Sequence, residues 1–389
     1  MKAEYSDIAA YEPEDFKDVV SRLAEDSSFR EMIDIVATQL FNGKMSGEQL
    51  KETFAHLNNV NEMDAVITFP GLKRLAELTS AGMELSGKEQ LTTNALYITN
   101  HRDIILDAAF LSVMVKEEIG SRFYMGIGTN LYVAPWIEDL VRLHLCFNII
   151  RGGSPRELLS HSTHLSDYIH YLLTERHASA WIAQREGRAK DSNDLTQPAL
   201  LKMLTMSGEG SFIEKLRALN VTPVSLSYEY DPCDYLKAQE MQCKRDDAGF
   251  KKTPQDDYLN MRTGITGYKG RIRFALTPCI NSELKDIEDA TPIRNLQVEL
   301  AAKLIDKHIH ANYTIFPNNM VAYDLLEDSH RFRGEYTQED KERFETYIAR
   351  QIDKIELPKK DTAFLRERLL EMYANPLRNK LKATEDIIL

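Results

Sequence analysis

The chain has 389 residues, 43% of them hydrophobic, which is long for one domain and enough to bury a sizeable core. Its formal net charge is −12 at pH 7. This argues against broad nucleic-acid binding and general adhesion to anionic lipid, both of which need a cationic face.

The four cysteines, Cys146, Cys233, Cys243 and Cys279, form no CxxC pair. That is no disulfide scaffold, and reduced thiols in a cytosolic protein fit best. Residues 1–15 are polar and acidic, so no signal peptide is expected. No run reaches the roughly 18 to 20 apolar residues of a membrane span. The expected location is cytoplasmic, with peripheral contact on the inner face of the membrane left open.

Residues 13–85 read as helices. Pro13 opens a pattern that puts Phe16, Val19, Val20 and Leu23 on one face. Ser28 is a plausible cap for a second helix, which ends near Asn42-Gly43. Ser46 and Gln49 have capping-box spacing for a helix to about Leu57, and another helix starts near Gly71. From about Leu91 the texture becomes short apolar runs alternating with amphipathic helices. Strands are expected at 95–98, 122–127, 146–150, 178–184, 221–229 and 270–280. Helices are expected from Ile104 to about Glu118, and over 135–145, 155–176 and 200–219. Residues between the last two strands read as a polar excursion. The helical pattern resumes over 291–325 with a break at Pro317, then from Thr337 to about Ile355, and from Asp361 to about Ala374, with Asn375-Pro376 as the end. The alternation indicates an α/β fold: a mixed, mainly parallel sheet with helices on both faces, plus helical regions at each end. The division expected is 1–88 (N-terminal helical), 89–325 (α/β core) and 326–389 (C-terminal helical).

Three strand ends carry chemistry-bearing residues. The first presents His101 with Asp103 and Asp107. A histidine at a strand tip beside carboxylates suits a general base, although a cap or surface role is the commoner fate. The second presents Arg151 with Gly152 and Gly153, then Ser154-Pro155 at a helix start. The third presents Arg185, Glu186, Gly187 and Arg188. Ligands of open α/β sheets sit beyond the strands' carboxyl ends, so the three could line one pocket. Arg151, Arg185 and Arg188 would suit a phosphate, with donors from the helix N-terminus.

In this order the blocks resemble those of the glycerolipid acyltransferases, which acylate glycerol 3-phosphate or lysophosphatidate. The first is Asn100-His101-Arg102-Asp103-Ile104-Ile105-Leu106-Asp107, similar to the family's NHxxxxD motif. The second is Phe147-Asn148-Ile149-Ile150-Arg151, the third Glu186-Gly187-Arg188 and the fourth Val221-Thr222-Pro223-Val224. Gly270–Phe274 and Ile315–Ala322 are also similar to family segments, so the resemblance spans about 90–325. It implies O-acyl transfer from acyl carrier protein or coenzyme A to a small phosphorylated or lysolipid acceptor. His101 would be the general base, with no acyl-enzyme. Oxyanion donors would come from near the start of the following helix, and the headgroup would sit on Arg151, Glu186, Gly187 and Arg188. No metal is implied, and no cofactor beyond the acyl thioester.

The sequence departs from the family at two points. Five residues separate His101 from Asp107 where the family has four, and one residue turns a helix by about 100°. Either the turn absorbs the extra residue or Asp103 orients the imidazole; Asp107 is favoured because apolar residues continue the helix after it. Gln184-Arg185 also stands where the family usually has Phe-Pro, which leaves open an amino-acid-headgroup lysolipid as acceptor. A rival of another class is a non-catalytic acyl- or lipid-binding protein. Another is a metal hydrolase using His161, His164 and Asp167, with His170 following, at spacings of three on one helix. His308-x-His310 is a weaker pair. Lys269, Arg271, Arg273, Lys251 and Lys252 form a basic cluster for docking acyl carrier protein or lipid headgroups, unless it is an ordinary exposed face. The segment Leu131–Leu145, with Trp136, fits either bilayer contact or core packing.

Overall fold

The computed structural model describes residues 3–41 and 44–385. At its centre is a seven-stranded sheet: β1 (Met83–Ser86), β2 (Leu96–Thr99), β3 (Tyr124–Gly128), β4 (Cys146–Ile149), β5 (Ala180–Ala183), β6 (Val221–Tyr228) and β7 (Ile272–Leu276), in spatial order β1-β7-β6-β2-β5-β3-β4. Every neighbouring pair is parallel except β6 and β7. The expected α/β class is the one observed. All residues of β2 and β6 are buried, as expected of central strands covered on both faces; β2 reads as a short apolar run, whereas β6 also buries Thr222, Ser225 and Ser227. One face packs Leu96, Ile98, Ile182 and Val221 against the helices Pro155–His170, Pro198–Leu204 and Arg294–Ala311. The other packs Tyr97, Trp181 and Val224 against the helix Leu106–Ile119.

The edge strand β4 is covered by the arm Tyr5–Tyr11. The Asn148 N–H donates to the Ile8 carbonyl at 2.8 Å, and the Arg142 guanidinium donates to the carbonyls of Ala9 and Ser6. Covering an edge in this way blocks pairing with another chain.

Several expectations need correction. The second helix, Ser27–Gln39, is capped by Asp26, whose carboxylate accepts from the Phe29 N–H, and not by Ser28; the end expected at Asn42-Gly43 lies outside the described residues. The stretch 200–219 is two helices, Pro198–Leu204 and Phe212–Ala218, separated by Gly208 and Gly210 at positive φ. Met83–Ser86, in the region read as helical, is a strand paired with β7. The polar excursion holds two helices, Asp234–Asp246 and Pro254–Thr266, and Asn281–Ala290 is a further one. The last helix, Thr362–Glu385, runs through Pro376. The lost hydrogen bond there is offset by burial of Leu377 and Ala383, and by Asn375 and Lys380 donating to the carbonyls of Asp191 and Tyr313.

Trp136, on the helix Pro135–Leu143, packs on Phe29 within the N-terminal helices. That is the core-packing alternative for this segment. At its end His144 donates Nδ1–H to the Leu140 carbonyl at 2.8 Å and accepts at Nε2 from the Thr68 hydroxyl at 2.8 Å. Burial, helped by the charge of Arg122, lowers its pKa to about 4. The unfolded chain therefore takes up a proton near pH 6.5 that the folded chain refuses until about pH 4. Stability from this site is present above pH 6.5 and lost as pH falls through that window, by up to about 3 kcal/mol. Urea midpoints from pH 7 to pH 4 should fall less steeply in His144→Gln than in the parent. Parallel profiles would contradict this.

Candidate active site

β2 hands the chain to an irregular turn, residues 100–105, before the helix starts at Leu106. Asn100, fully buried, continues the β2–β6 ladder with its side chain: Nδ2 donates to the Leu226 carbonyl and Oδ1 accepts the Leu226 N–H, both at 2.8 Å. Asp103 caps the helix, its Oδ1 accepting from the N–H groups of Ile105 (2.9 Å) and Leu106 (2.8 Å). Asp107, in the first helical turn where the dipole favours a carboxylate, accepts from the N–H groups of Arg102 at 2.7 Å and Asp103 at 3.0 Å. Its Oδ2 also lies 2.8 Å from His101 Nδ1.

Asp107, not Asp103, is thus the carboxylate against the imidazole. Helical arithmetic does not apply between them, because the extra residue is taken up in the turn ahead of the helix. With Nδ1 on Asp107, Nε2 is the nitrogen left for a ligand. Trp181 stands edge-on to the imidazole, with ring centroids 6.3 Å apart, and is itself fixed by Nε1–H donating to Thr99 Oγ1 at 3.2 Å.

Of the N–H groups from Arg102 to Leu106, only that of Ile104 has neither Asp103 nor Asp107 on it. Behind the turn, burial and the neighbouring Asp107 charge hold the Asp103 carboxyl above the usual carboxylate range, against the pull of Arg188. Gly264, on the helix Pro254–Thr266, lets Asp103 approach: a β-carbon there would lie 2.2 Å from Asp103 Oδ2.

His101 opens into a cleft of about 690 Å³. Its apolar wall includes Ile8, Ile149, Leu158, Leu165, Leu200 and Met203. His101, Arg151, Arg185, Glu186, Gly187 and Arg188 all line it, and so does Ile104. All three strand ends therefore reach one space. Asp103 and Asp107 do not line it and stand behind His101.

The cations differ in circumstance. Arg151 is ion-paired with Glu186 at 2.8 Å. Arg188 is largely buried and donates to Asn260 Oδ1 at 3.1 Å. Gly152 and Gly153 take positive φ and lead to Ser154, whose capping box with Glu157 already uses the N–H groups of both residues. Fewer helix-terminal donors are left there than the sequence suggested.

The remaining constellations dissolve. Among the described residues no group of three His, Cys, Asp or Glu is arranged to hold a metal. His161 lines the cleft, His164 turns to Asp7, Asp167 accepts from the Tyr5 hydroxyl and His170 bonds to the Leu204 carbonyl. His308 meets Glu283 and His310 the Asp194 carbonyl. Four of the five residues of the basic cluster are engaged with the protein, and Lys251 is exposed. Lys269 is fully buried and donates to the carbonyls of Ile265 and Gly267, and burial lowers its pKa to about 8. Arg271, Arg273 and Lys252 pair with Glu229, Glu84 and Asp257.

No helix of the described residues is long and apolar enough to cross a membrane. A search of the curated proteins finds no match to the chain. Residues 82–212 match a protein-family model described as Acyltransferase, a span that holds β1 to β5, His101 with Asp107, Arg151, and Arg185 to Arg188. The match supports a general acyltransferase role for this part of the chain.

Proposed function

We propose that the protein is an O-acyltransferase that moves a fatty acyl chain from acyl carrier protein or coenzyme A to a hydroxyl of glycerol 3-phosphate or lysophosphatidate. The observation that carries this reading is the His101–Asp107 pair, at 2.8 Å, opening into a cleft with an apolar wall and a cationic wall inside the acyltransferase match. His101 Nε2 takes the proton of the acceptor hydroxyl as its oxygen attacks the thioester carbonyl carbon. Asp107 holds Nδ1–H, fixing the tautomer and stabilising the imidazolium. The Ile104 N–H is the donor available to the oxyanion. Collapse of the tetrahedral intermediate breaks the C–S bond, and the imidazolium proton goes to the departing sulfur. The acceptor's own oxygen is the nucleophile, so no acyl-enzyme forms. The apolar wall takes the chain, and Arg151, Arg185, Glu186, Gly187 and Arg188 surround the headgroup.

A screen with labelled acyl carrier protein and acyl-coenzyme A against glycerol 3-phosphate and lysophosphatidate tests this reading. Labelled ester with at least one donor–acceptor pair is expected. Donor binding without ester from any pair would favour the non-catalytic rival.

A further inference from the structure

Five cationic side chains line the cleft: Arg151, Arg185, Arg188, Lys190 and Lys252. Four have protein partners. Arg151 is held by Glu186, Lys190 by Glu240 and Lys252 by Asp257, while Arg188 bonds to Asn260 and lies among the charges of Asp103 and Asp231. Arg185 alone has none among the described residues, and its Nε is buried without a hydrogen bond. A guanidinium part-way out of water with no partner is costly, and an anion entering the cleft relieves that cost.

Its position bears on the chemistry. β2 and β5 run parallel with Thr99 opposite Ala183. Two residues beyond these strand ends stand His101 and Arg185, and both line the same cleft as Trp181, which packs against the imidazole. The strands that end just before them are neighbours, about 4.8 Å apart at the backbone, so Arg185 and His101 enter the cleft from adjoining strand ends. Gln184, its neighbour, is fully buried and does not line the cleft. Of the two residues that depart from the family's Phe-Pro, Arg185 is the one that faces the cleft.

We infer that Arg185 is the anion anchor of the acceptor. Its fork grips a phosphate monoester and places a hydroxyl a few carbons away at His101. Arg151 and Arg188, already engaged with protein partners, shape the wall around it. This rests on the acyltransferase reading of the cleft.

The test is calorimetric titration of the full chain with glycerol 3-phosphate and with inorganic phosphate, alongside steady-state kinetics in both substrates, for the parent, Arg185→Gln, Arg185→Lys, Arg151→Gln and, as an exposed control outside the cleft, Arg156→Gln. Arg185→Gln should weaken glycerol 3-phosphate about 10- to 100-fold, in both Kd and KM, with the donor KM unchanged. Arg185→Lys should recover part of the loss, and Arg156→Gln should behave like the parent. Four results would overturn the assignment: no binding of either probe by the parent, an unchanged acceptor KM in Arg185→Gln, a rise in the donor KM instead, or a larger loss in Arg151→Gln. If the parent transfers no acyl group yet binds glycerol 3-phosphate through Arg185, the anion site stands and the acyltransferase reading fails. If transfer proceeds with Arg185 indifferent, the reverse holds.

Discussion

His101→Ala is expected to reduce acyl transfer by about 10²- to 10⁴-fold, the range that a positioned general base contributes, while leaving acyl-donor binding intact. Among the described residues the imidazole's one hydrogen bond is to Asp107, and that carboxylate keeps its backbone donors from Arg102 and Asp103 when the ring is removed. The thermal midpoint should therefore move by only a few degrees. Transfer retained within tenfold would remove His101 from the mechanism.

Asp107→Asn should have a comparable effect on turnover and a larger one on stability. Asp107 is 1% exposed and accepts hydrogen bonds from the imidazole and two backbone N–H groups, with the Tyr228 hydroxyl also beside it. An asparagine supplies one acceptor oxygen and turns an NH₂ group toward the remaining donors, so the imidazole loses both its tautomer control and its counter-charge. A fall in kcat of about 10³-fold or more is expected, with stability lower by about 2–4 kcal/mol from buried groups left unpaired. Asp103→Asn is the companion variant. Its Oδ1 still caps Ile105 and Leu106, and activity should stay within about tenfold of the parent. Rates and urea midpoints of the two variants separate the roles, and equal losses of kcat would contradict the division drawn here.

Much of the scaffold was legible because burial leaves simple traces. Leu96–Ile98 is continuously apolar because both faces of its strand are covered, and Val221, Val224 and Leu226 mark β6 although Thr222, Ser225 and Ser227 lie buried among them. Ser46 with Gln49 and Thr337 with Asp340 announced helix starts that are present. The helices Asp234–Asp246 and Pro254–Thr266 were hidden because their buried faces are polar, with Asp234, Lys237, Glu240, Gln242 and Asn260 turned inward, so no apolar stripe marks them. Met83–Ser86 is a four-residue edge strand with a single buried side chain, too short for a period-2 signal.

At the site, residue types and their order were readable, but their partners were not. The choice between Asp103 and Asp107 depended on where helical geometry begins, and that is fixed by hydrogen bonds within the turn. The inward position of Arg188 depends on Asn260, 72 residues away, and the burial of Lys269 on the carbonyls of its own turn. Asn100 stood inside the recognised motif, but its bridge to Leu226 appears only when β2 and β6 pair. Trp181 was legible only as strand, and its packing against His101 appears only when β2 and β5 pair.

The central claim is direct transfer, with His101 as base and the acceptor's own hydroxyl as nucleophile. It is tested most directly by a single-turnover experiment that follows thiol release, ester formation and intact protein mass together, with and without glycerol 3-phosphate or lysophosphatidate. The account predicts thiol release only when acceptor is present, matched mole for mole by ester, with the protein mass unchanged throughout. Thiol release without acceptor, accompanied by a protein heavier by one acyl group, would contradict it.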